Sequence, residues 1–315
     1  MKNLAVFLES GVVPFRPSDA QIGRLRELLG SSWNVETARS EEEFVRALPR
    51  ADAAVVWTFR QEWFGAAPRL RVLCTPAAGK DYFKVVPPPG LAMHYGSFHG
   101  AIMGETAAAC VLSLAHGLFQ GAREMSSGGG RAPWPRREMA ARARRLAGQK
   151  CAILGFGAIG SAAARFLKPF GARIAGIART AKPRPEWFGA GDATFAVADA
   201  AEALRDAAFL VSFLPSGPET DRIVDARMLS FLPPGAFFLN FGRGTAVDEE
   251  ALASALASGR LAGAVLDVFR EEPLPVSSPL RDAPNAWLFP HSSAFSPDYM
   301  DLCFRELAEF LLARR

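Results

Sequence analysis

The chain has 315 residues, of which 50% are hydrophobic and 22% charged, with a formal net charge of +4. That length exceeds what one hydrophobic core usually holds and fits two domains with a cleft between them. The four cysteines, Cys74, Cys110, Cys151 and Cys303, lie far apart with no CxxC spacing for a zinc or redox site, so they are expected to be reduced core residues of a cytoplasmic protein.

Residues 4–8 form an apolar run too short for the core of an export signal and followed by Glu9, hence an expected first strand. Ser18 with Gln21, and Ser40 with Glu43, have the spacing of capping boxes. Helically spaced apolar residues follow each: Ile22, Leu25, Leu28 and Leu29 after the first, Phe44, Val45 and Leu48 after the second. Strand-like runs at 53–57, 72–75 and 91–95 complete a small parallel α/β domain. Ligands of such sheets sit beyond the carboxyl ends of the strands, so the loop Ala77-Ala78-Gly79-Lys80-Asp81 is a candidate substrate contact, with a plain glycine turn as an equal alternative. A helix is expected over 104–120. The stretch 106–122 carries no charge, but Ser113, His116, Gln120 and Gly121 interrupt it, which favours a buried or partner-facing helix over a membrane span. A glycine-rich loop over 126–135 leads to Arg136, Arg137, Arg142, Arg144 and Arg145. Without an aromatic platform or DNA-reading motif, a solvated helix face is favoured there over a nucleic-acid contact.

The apolar run 151–154 ends in Gly155-Phe156-Gly157-Ala158-Ile159-Gly160 and opens a helix over 161–167, the strand–turn–helix context of a dinucleotide fingerprint. Gly155 would permit the tight turn, Gly157 the approach of a pyrophosphate to the backbone, and Gly160 close packing of helix on strand. The expected elements then run as strand 174–177, an irregular Pro-rich segment 182–188, strand 209–214, helix 226–232, strand 236–241, helix 248–258, strand 262–269, strand 287–289 and helix 297–312, a doubly wound pattern. Arg243, Glu272 and His291 each follow one of the last three strands, and strand ends at one edge of a parallel sheet are neighbours in space. Their chemistry is complementary. Arginine pairs a carboxylate bidentately, histidine exchanges a proton near neutral pH, and a carboxylate beside histidine favours the imidazolium.

Five stretches in order, LAGQKCAILGFGAIG (146–160), LPSGPET (214–220), NFGRGTAVDEEAL (240–252), LAGAVLDVFREEPLP (261–275) and PHSSAFSP (290–297), resemble the D-isomer-specific 2-hydroxyacid dehydrogenases. The resemblance is dense over 146–297 and looser before it. It implies two doubly wound parallel-sheet α/β domains, a Rossmann cofactor domain over 99–290 inserted in a flavodoxin-like substrate domain made of 1–98 and 291–315. It also implies hydride transfer between NAD(P)H and a small 2-oxo acid, of the glyoxylate or hydroxypyruvate kind or bulkier. By position, Arg243 matches the family's substrate-binding arginine, Glu272 the acid paired to histidine, and His291 the general acid/base, while the N–H groups around Ala78 and Gly79 would share the substrate carboxylate. Asp267 matches a position near the nicotinamide amide, with a turn cap as its alternative. Cofactor contacts are expected at Gly155, Gly157, Ala158, Ile159, Gly160, Arg179, Thr180, Leu214, Pro215, Phe241, Gly242, Arg243, Asp267, His291 and Ser293. No metal site is expected. A two-fold homodimer is expected through the helix 104–120, because Ala107, Ala108, Ala109, Val111, Leu112 and Leu114 must bury their surface.

The sequence departs from the family at Ala178, where an acid usually reads the adenosine ribose, at Ser292-Ser293 after the histidine, and at Lys80. No Asp or Glu stands between Gly160 and Glu186, and Arg179 and Thr180 occupy the strand end with Lys182 and Arg184 nearby. NADP(H) is therefore favoured, with NAD(H) use still open. Two other readings compete: a dinucleotide-sensing regulator of the corepressor type, and a dehydrogenase of formate or phosphite. Glu272 speaks against formate, whose dehydrogenases carry an amide there.

Overall fold

The computed structural model describes residues 1–81, 83–127 and 136–314. The chain folds as two units, residues 1–99 with 295–315, and residues 100–294. The return to the first unit comes at Phe295, so His291 stands in the second unit rather than in the segment 291–315 that the sequence assigned to the first.

In the first unit, strands β1 (Lys2–Phe7), β2 (Trp33–Thr37), β3 (Ala53–Val56), β4 (Val72–Thr75) and β5 (Ala92–Tyr95) form a parallel sheet in the order β2-β1-β3-β4-β5. That is the flavodoxin-like winding. Helix α1 (Asp19–Leu29) starts with a complete capping box: Ser18 Oγ accepts from the Gln21 N–H at 3.3 Å and Gln21 Oε1 from the Ser18 N–H at 3.0 Å. Helix α2 (Glu41–Ala47) is capped by Ser40, but the Glu43 carboxylate reaches one residue further back, to the Arg39 N–H at 2.7 Å. The C-terminal helix α10 (Tyr299–Leu312) packs on α1. Asp301 there accepts from Gln21 Nε2 at 2.9 Å and pairs with Arg24 at 2.5 Å, while Glu306 meets His94 Nε2 at 3.0 Å and Ser97 Oγ at 2.6 Å.

The second unit carries strands β6 (Lys150–Leu154), β7 (Arg173–Ala178), β8 (Ala193–Ala196), β9 (Ala207–Ser212), β10 (Ala236–Asn240), β11 (Leu261–Leu266) and β12 (Ala286–Leu288). They pair in parallel in the order β12-β11-β10-β9-β6-β7-β8. The chain winds outward from β6 to β8, then returns to the other side of β6 with β9, so β6 and β9 flank the switch point where such sheets bind ligands. Helices α3 (Gly100–Ala115) and α6 (Ala158–Leu167) cover one face, burying Ala107, Val111, Leu114, Ala164 and Leu167 against Cys151, Ile153, Phe209 and Val211. Helices α7 (Ala200–Leu204), α8 (Ala226–Ser230) and α9 (Glu249–Ala257) cover the other, with Leu204, Leu229, Leu252 and Leu256 over Leu154, Leu210, Phe238 and Leu266. Each fully buried large apolar side chain contributes about 1.5–3 kcal/mol. Both faces are covered, which is why these strands are near-continuous apolar runs without alternation.

The expected helix over 104–120 is two helices. Gly117 takes φ +68 and ends α3, and α4 (Leu118–Ser127) leaves at 69°. Among the described residues no single helix is long and apolar enough to cross a membrane. Ala107, Ala108, Val111 and Leu114 are buried inside this unit, whereas Ala109 is exposed and Leu112 half-buried. Strand β11 stops at Leu266, not 269, and β2, β8 and α7 stand where no element was expected. Most of the glycine-rich loop, residues 128–135, lies outside the described residues. The basic stretch begins as the exposed helix α5 (Arg136–Arg142), with Arg142 paired to Glu124 at 2.5 Å.

Candidate active site

The turn after β6 has no room for a side chain at Gly155 or Gly160 and is open at Gly157. Gly155 takes φ +90, and a Cβ there would lie 2.9 Å from the Phe213 carbonyl; a Cβ on Gly160 would lie 2.4 Å from Gly155 O. A Cβ on Gly157 would meet no protein atom within 4 Å, so the space over it is open. Gly157 is the N-cap of α6 and makes no side-chain cap, and the helix ladder begins with Ser161 N–H to Gly157 O at 2.9 Å. The N–H groups of Ala158, Ile159 and Gly160 thus lack intrahelical acceptors, the arrangement that holds an anionic group at a helix N-terminus. The residues fit a dinucleotide pyrophosphate.

Beyond the neighbouring strands the sheet's hydrogen-bond ladder continues into the loops. The Phe241 N–H donates to Ser212 O at 2.9 Å, Asp267 N–H to Asn240 O at 3.0 Å, and His291 N–H to Asp267 O at 2.9 Å. Asn240↔Leu266 and Leu266↔Leu288 are in register, so the segments bearing Arg243, Glu272 and His291 leave one edge of adjacent strands. Asn240, fully buried, shapes the first: its Oδ1 accepts from Gly242 N–H at 3.2 Å and its Nδ2 donates to Arg243 O at 3.1 Å. Arg243 is half-buried, and its Nη1 donates to Gly242 O at 3.1 Å. A Cβ on Gly244 would fall 1.8 Å from the Phe269 carbonyl carbon, so only glycine lets the Arg243 loop pass the β11 loop at backbone contact.

Glu272 uses both oxygens. Oε1 accepts from the Phe269 N–H at 3.0 Å, and Oε2 lies 2.9 Å from His291 Nδ1. An ionised carboxylate only accepts, so Nδ1 carries a proton and Nε2 is the ring nitrogen available for exchange. The side chains of His291 and Glu272 stay 50% and 37% exposed, accessible to a ligand. His291 itself takes φ +53, left-handed backbone that non-glycine residues adopt at a cost of about 1–2 kcal/mol. Asp267 holds it there. This carboxylate is 1% exposed, accepts from Ser292 N–H at 2.7 Å through Oδ1 and from Ser293 N–H at 2.9 Å through Oδ2, and its carbonyl takes the His291 N–H. Asp267 is therefore the cap of the His291 turn, whatever else it touches. Burial and then the Asp267 charge push the Cys110 thiol up to about 12, so Cys110 stays a neutral thiol.

At the end of β7, Ala178 is followed by exposed Arg179 and Thr180. Arg179 Nη1 pairs with Glu219 Oε2 at 3.0 Å, a carboxylate from the loop after β9 that a search along β7 alone misses. Arg184 donates to the carbonyls of Phe188 and Gly189 at 3.3 and 2.7 Å. Leu214 and Pro215 stand in the loop after β9, and a Cβ on Gly242 would lie 2.4 Å from Leu214 O. In the first unit the loop after β4 exposes Ala78 and buries Gly79; Ala77 N–H donates to Thr75 Oγ1 at 3.2 Å and Ala77 O accepts from Gly96 N–H at 3.0 Å. Asn240, Glu219 and Thr106 are the site neighbours not anticipated from sequence. Only Asn240, a turn-forming residue ahead of Gly-x-Gly, carried a local signal.

Residues 108–293 match the family model of the D-isomer specific 2-hydroxyacid dehydrogenase, NAD binding domain. The chain is 32% identical over 253 residues to a glyoxylate reductase of Thermococcus onnurineus (strain NA1), covering 76% of this chain and 73% of that one. Its fold is similar to the D-isomer specific 2-hydroxyacid dehydrogenase from Xanthobacter autotrophicus Py2 solved with NADPH and MES, with 28% identity, TM-score 0.76 and coverage of 98% and 93%. A probable 2-hydroxyacid dehydrogenase from Rhizobium etli CFN 42, 24% identical over 100% of this chain and 95% of that one with TM-score 0.76, shares the fold.

Proposed function

The chain belongs to the D-isomer-specific 2-hydroxyacid dehydrogenases, and on that premise we propose how its residues divide the work. It is an NAD(P)-dependent oxidoreductase acting on the CH–OH group, interconverting a small 2-oxo acid and its D-2-hydroxy acid. The 2.9 Å pair of Glu272 with His291 Nδ1 is the observation that carries the assignment. Arg243 binds the substrate carboxylate and polarises the carbonyl. His291, as imidazolium, gives its Nε2 proton to the carbonyl oxygen in reduction and takes it back in oxidation. Glu272 stabilises the imidazolium and fixes the ring. When bound, the nicotinamide supplies or receives the hydride at C2. The dinucleotide is held by Gly155, Gly157, Ala158, Ile159 and Gly160 at the pyrophosphate, by Arg179 and Thr180 at the adenosine ribose, and by Leu214, Pro215, Phe241 and Gly242 along its length.

NADPH is the favoured cofactor: no acid ends β7, and Arg179 offers a charge-assisted contact to a 2′-phosphate. Glyoxylate or a similarly short 2-oxo acid is the substrate class, supported by the likeness to a glyoxylate reductase. The enzyme works as a cytoplasmic homodimer, and Leu118, Phe166 and Phe170, exposed at 53%, 38% and 48%, are the apolar surface this leaves to a second subunit. Oxidation of NADPH and NADH, followed with short, polar and aromatic 2-oxo acids and with the chirality of the product, tests the whole reading. A failure to reduce any 2-oxo acid, or an L-hydroxy acid product, would overturn it.

A further inference from the structure

The His291 turn is held from two separate elements. Its entry is pinned three times by Asp267, through the carbonyl at His291 N–H and the carboxylate at Ser292 and Ser293 N–H. Its exit is pinned from a different element: Thr106 Oγ1, on α3, donates to Ser293 O at 2.9 Å. A threonine inside a helix usually turns its hydroxyl to the carbonyl a turn earlier in its own helix. Thr106 sends its hydroxyl outward to the loop.

We propose that Thr106 is a positioning residue for proton transfer, holding His291 in register with Glu272 through the Ser293 carbonyl; the proposal rests on His291 being the proton donor. The physical reason is the strain at His291. A residue at φ +53 stays there only while its surroundings over-determine it. With Asp267 alone, the turn is held only through its N–H groups, and the Ser293 peptide carbonyl with the segment beyond it can relax, carrying the imidazole off the line between Glu272 and the carbonyl oxygen. Displacements of about 1 Å in such a group lower the rate of the chemical step far more than they change binding. Thr106 thus acts on kcat, through another residue, without touching substrate.

The experiment compares Thr106→Val, which keeps the shape and removes the donor, with Thr106→Ser, which keeps the donor, in full-length enzyme, with His291→Ala alongside. Steady-state reduction of the best 2-oxo acid with NADPH gives kcat and KM, and fluorescence titration gives NADPH binding. Thr106→Val is expected to lose about three- to tenfold in kcat, the range a single neutral hydrogen bond supports, with KM and NADPH binding within about twofold of wild type. Thr106→Ser is expected to stay within about twofold in kcat. Unchanged kcat in Thr106→Val while His291→Ala is inactive overturns the proposal and leaves the catalytic reading standing. Equal losses in the Val and Ser variants assign Thr106 to packing and also overturn it. A near-wild-type His291→Ala overturns the catalytic reading, and the proposal with it. Whatever the variants' folding, a crystal structure of the holoenzyme with Thr106 Oγ1 beyond about 3.5 Å of Ser293 O, outside hydrogen-bond reach, overturns it as well.

Discussion

Arg179 and Glu219 face each other across 3.0 Å, one at the end of β7 and the other in the loop after β9, with 80% and 72% of their side chains exposed. A 2′-phosphate contacting Arg179 has to compete with that carboxylate. Arg179→Ala is expected to lower kcat/KM for NADPH by about tenfold while NADH changes little, since a hydrogen bond to a charged group contributes about 1.5–3 kcal/mol. Glu219→Gln releases the guanidinium and is expected to lower KM for NADPH by about two- to fivefold, the scale of an exposed ion pair. Steady-state kinetics with both cofactors decides; wild type using NADH at least as efficiently as NADPH sinks the inference.

His291→Ala is expected to lose about 10²- to 10⁴-fold in the rate of reduction, the usual contribution of a positioned general acid. Arg243→Ala is expected to raise KM and lower kcat together. A His291→Ala enzyme reducing its best substrate at near-wild-type rate would remove the assignment.

Glu272→Gln removes the carboxylate that fixes the His291 ring through Nδ1, and is expected to lower kcat for reduction by about tenfold or more with KM little changed, since a hydrogen bond to a charged group contributes about 1.5–3 kcal/mol. Steady-state kinetics measures it, and an unchanged kcat would count against the pairing of Glu272 with His291.

In the first unit, burial pushes the Glu306 carboxyl up, but hydrogen bonds from His94 and Ser97 outweigh it and hold the group below its ordinary value; at Asp301 the hydrogen bond from Arg24 does the same. Carboxyls depressed in the folded state stabilise it above their unfolded values and lose that contribution as pH falls through the folded ones. Glu306→Gln is thus expected to cost about 1–3 kcal/mol at neutral pH and progressively less in acid. Calorimetric unfolding across that range measures it, and equal midpoints for variant and wild type at neutral pH would refute it.

A homodimer is expected at micromolar concentration by light scattering, and Leu118→Glu with Phe170→Glu is expected to dissociate it. A monomeric wild type with full activity would show that no second subunit is needed.

The parts of this molecule legible in its sequence are those whose cause is local. The Ser18 box, the glycines of 155–160 and the uniformly apolar strands of a sheet covered on both faces all carry their reason within a few residues. Strand β2 was missed because it lies at the sheet edge with only Trp33 and Val35 buried, and β8 because all four of its residues are half-buried. The break at Gly117 hid inside an apolar stretch, where periodicity cannot distinguish one helix from two. Pairings such as Thr106 with Ser293, or Arg179 with Glu219, leave no trace in spacing, because the fold alone brings them together. The apolar side chains of α3 are shared in the same way: α6 and the sheet cover Ala107, Val111 and Leu114, while Ala109 stays exposed, a division that periodicity alone does not reveal.

The first unit is made from both ends of the chain, with α10 closing on α1 only after the whole second unit has been laid down between them. On the ribosome, the inserted unit holds every strand of its sheet before Tyr299 is synthesised, whereas the amino-terminal sheet, whose strands are all made by Tyr95, must wait for the helix α10 of its own unit. Until then Gln21 and Arg24 lack Asp301, and His94 and Ser97 lack Glu306. The order of maturation is therefore expected to run against the order of synthesis, with the middle of the chain becoming protease-resistant first and the amino terminus last.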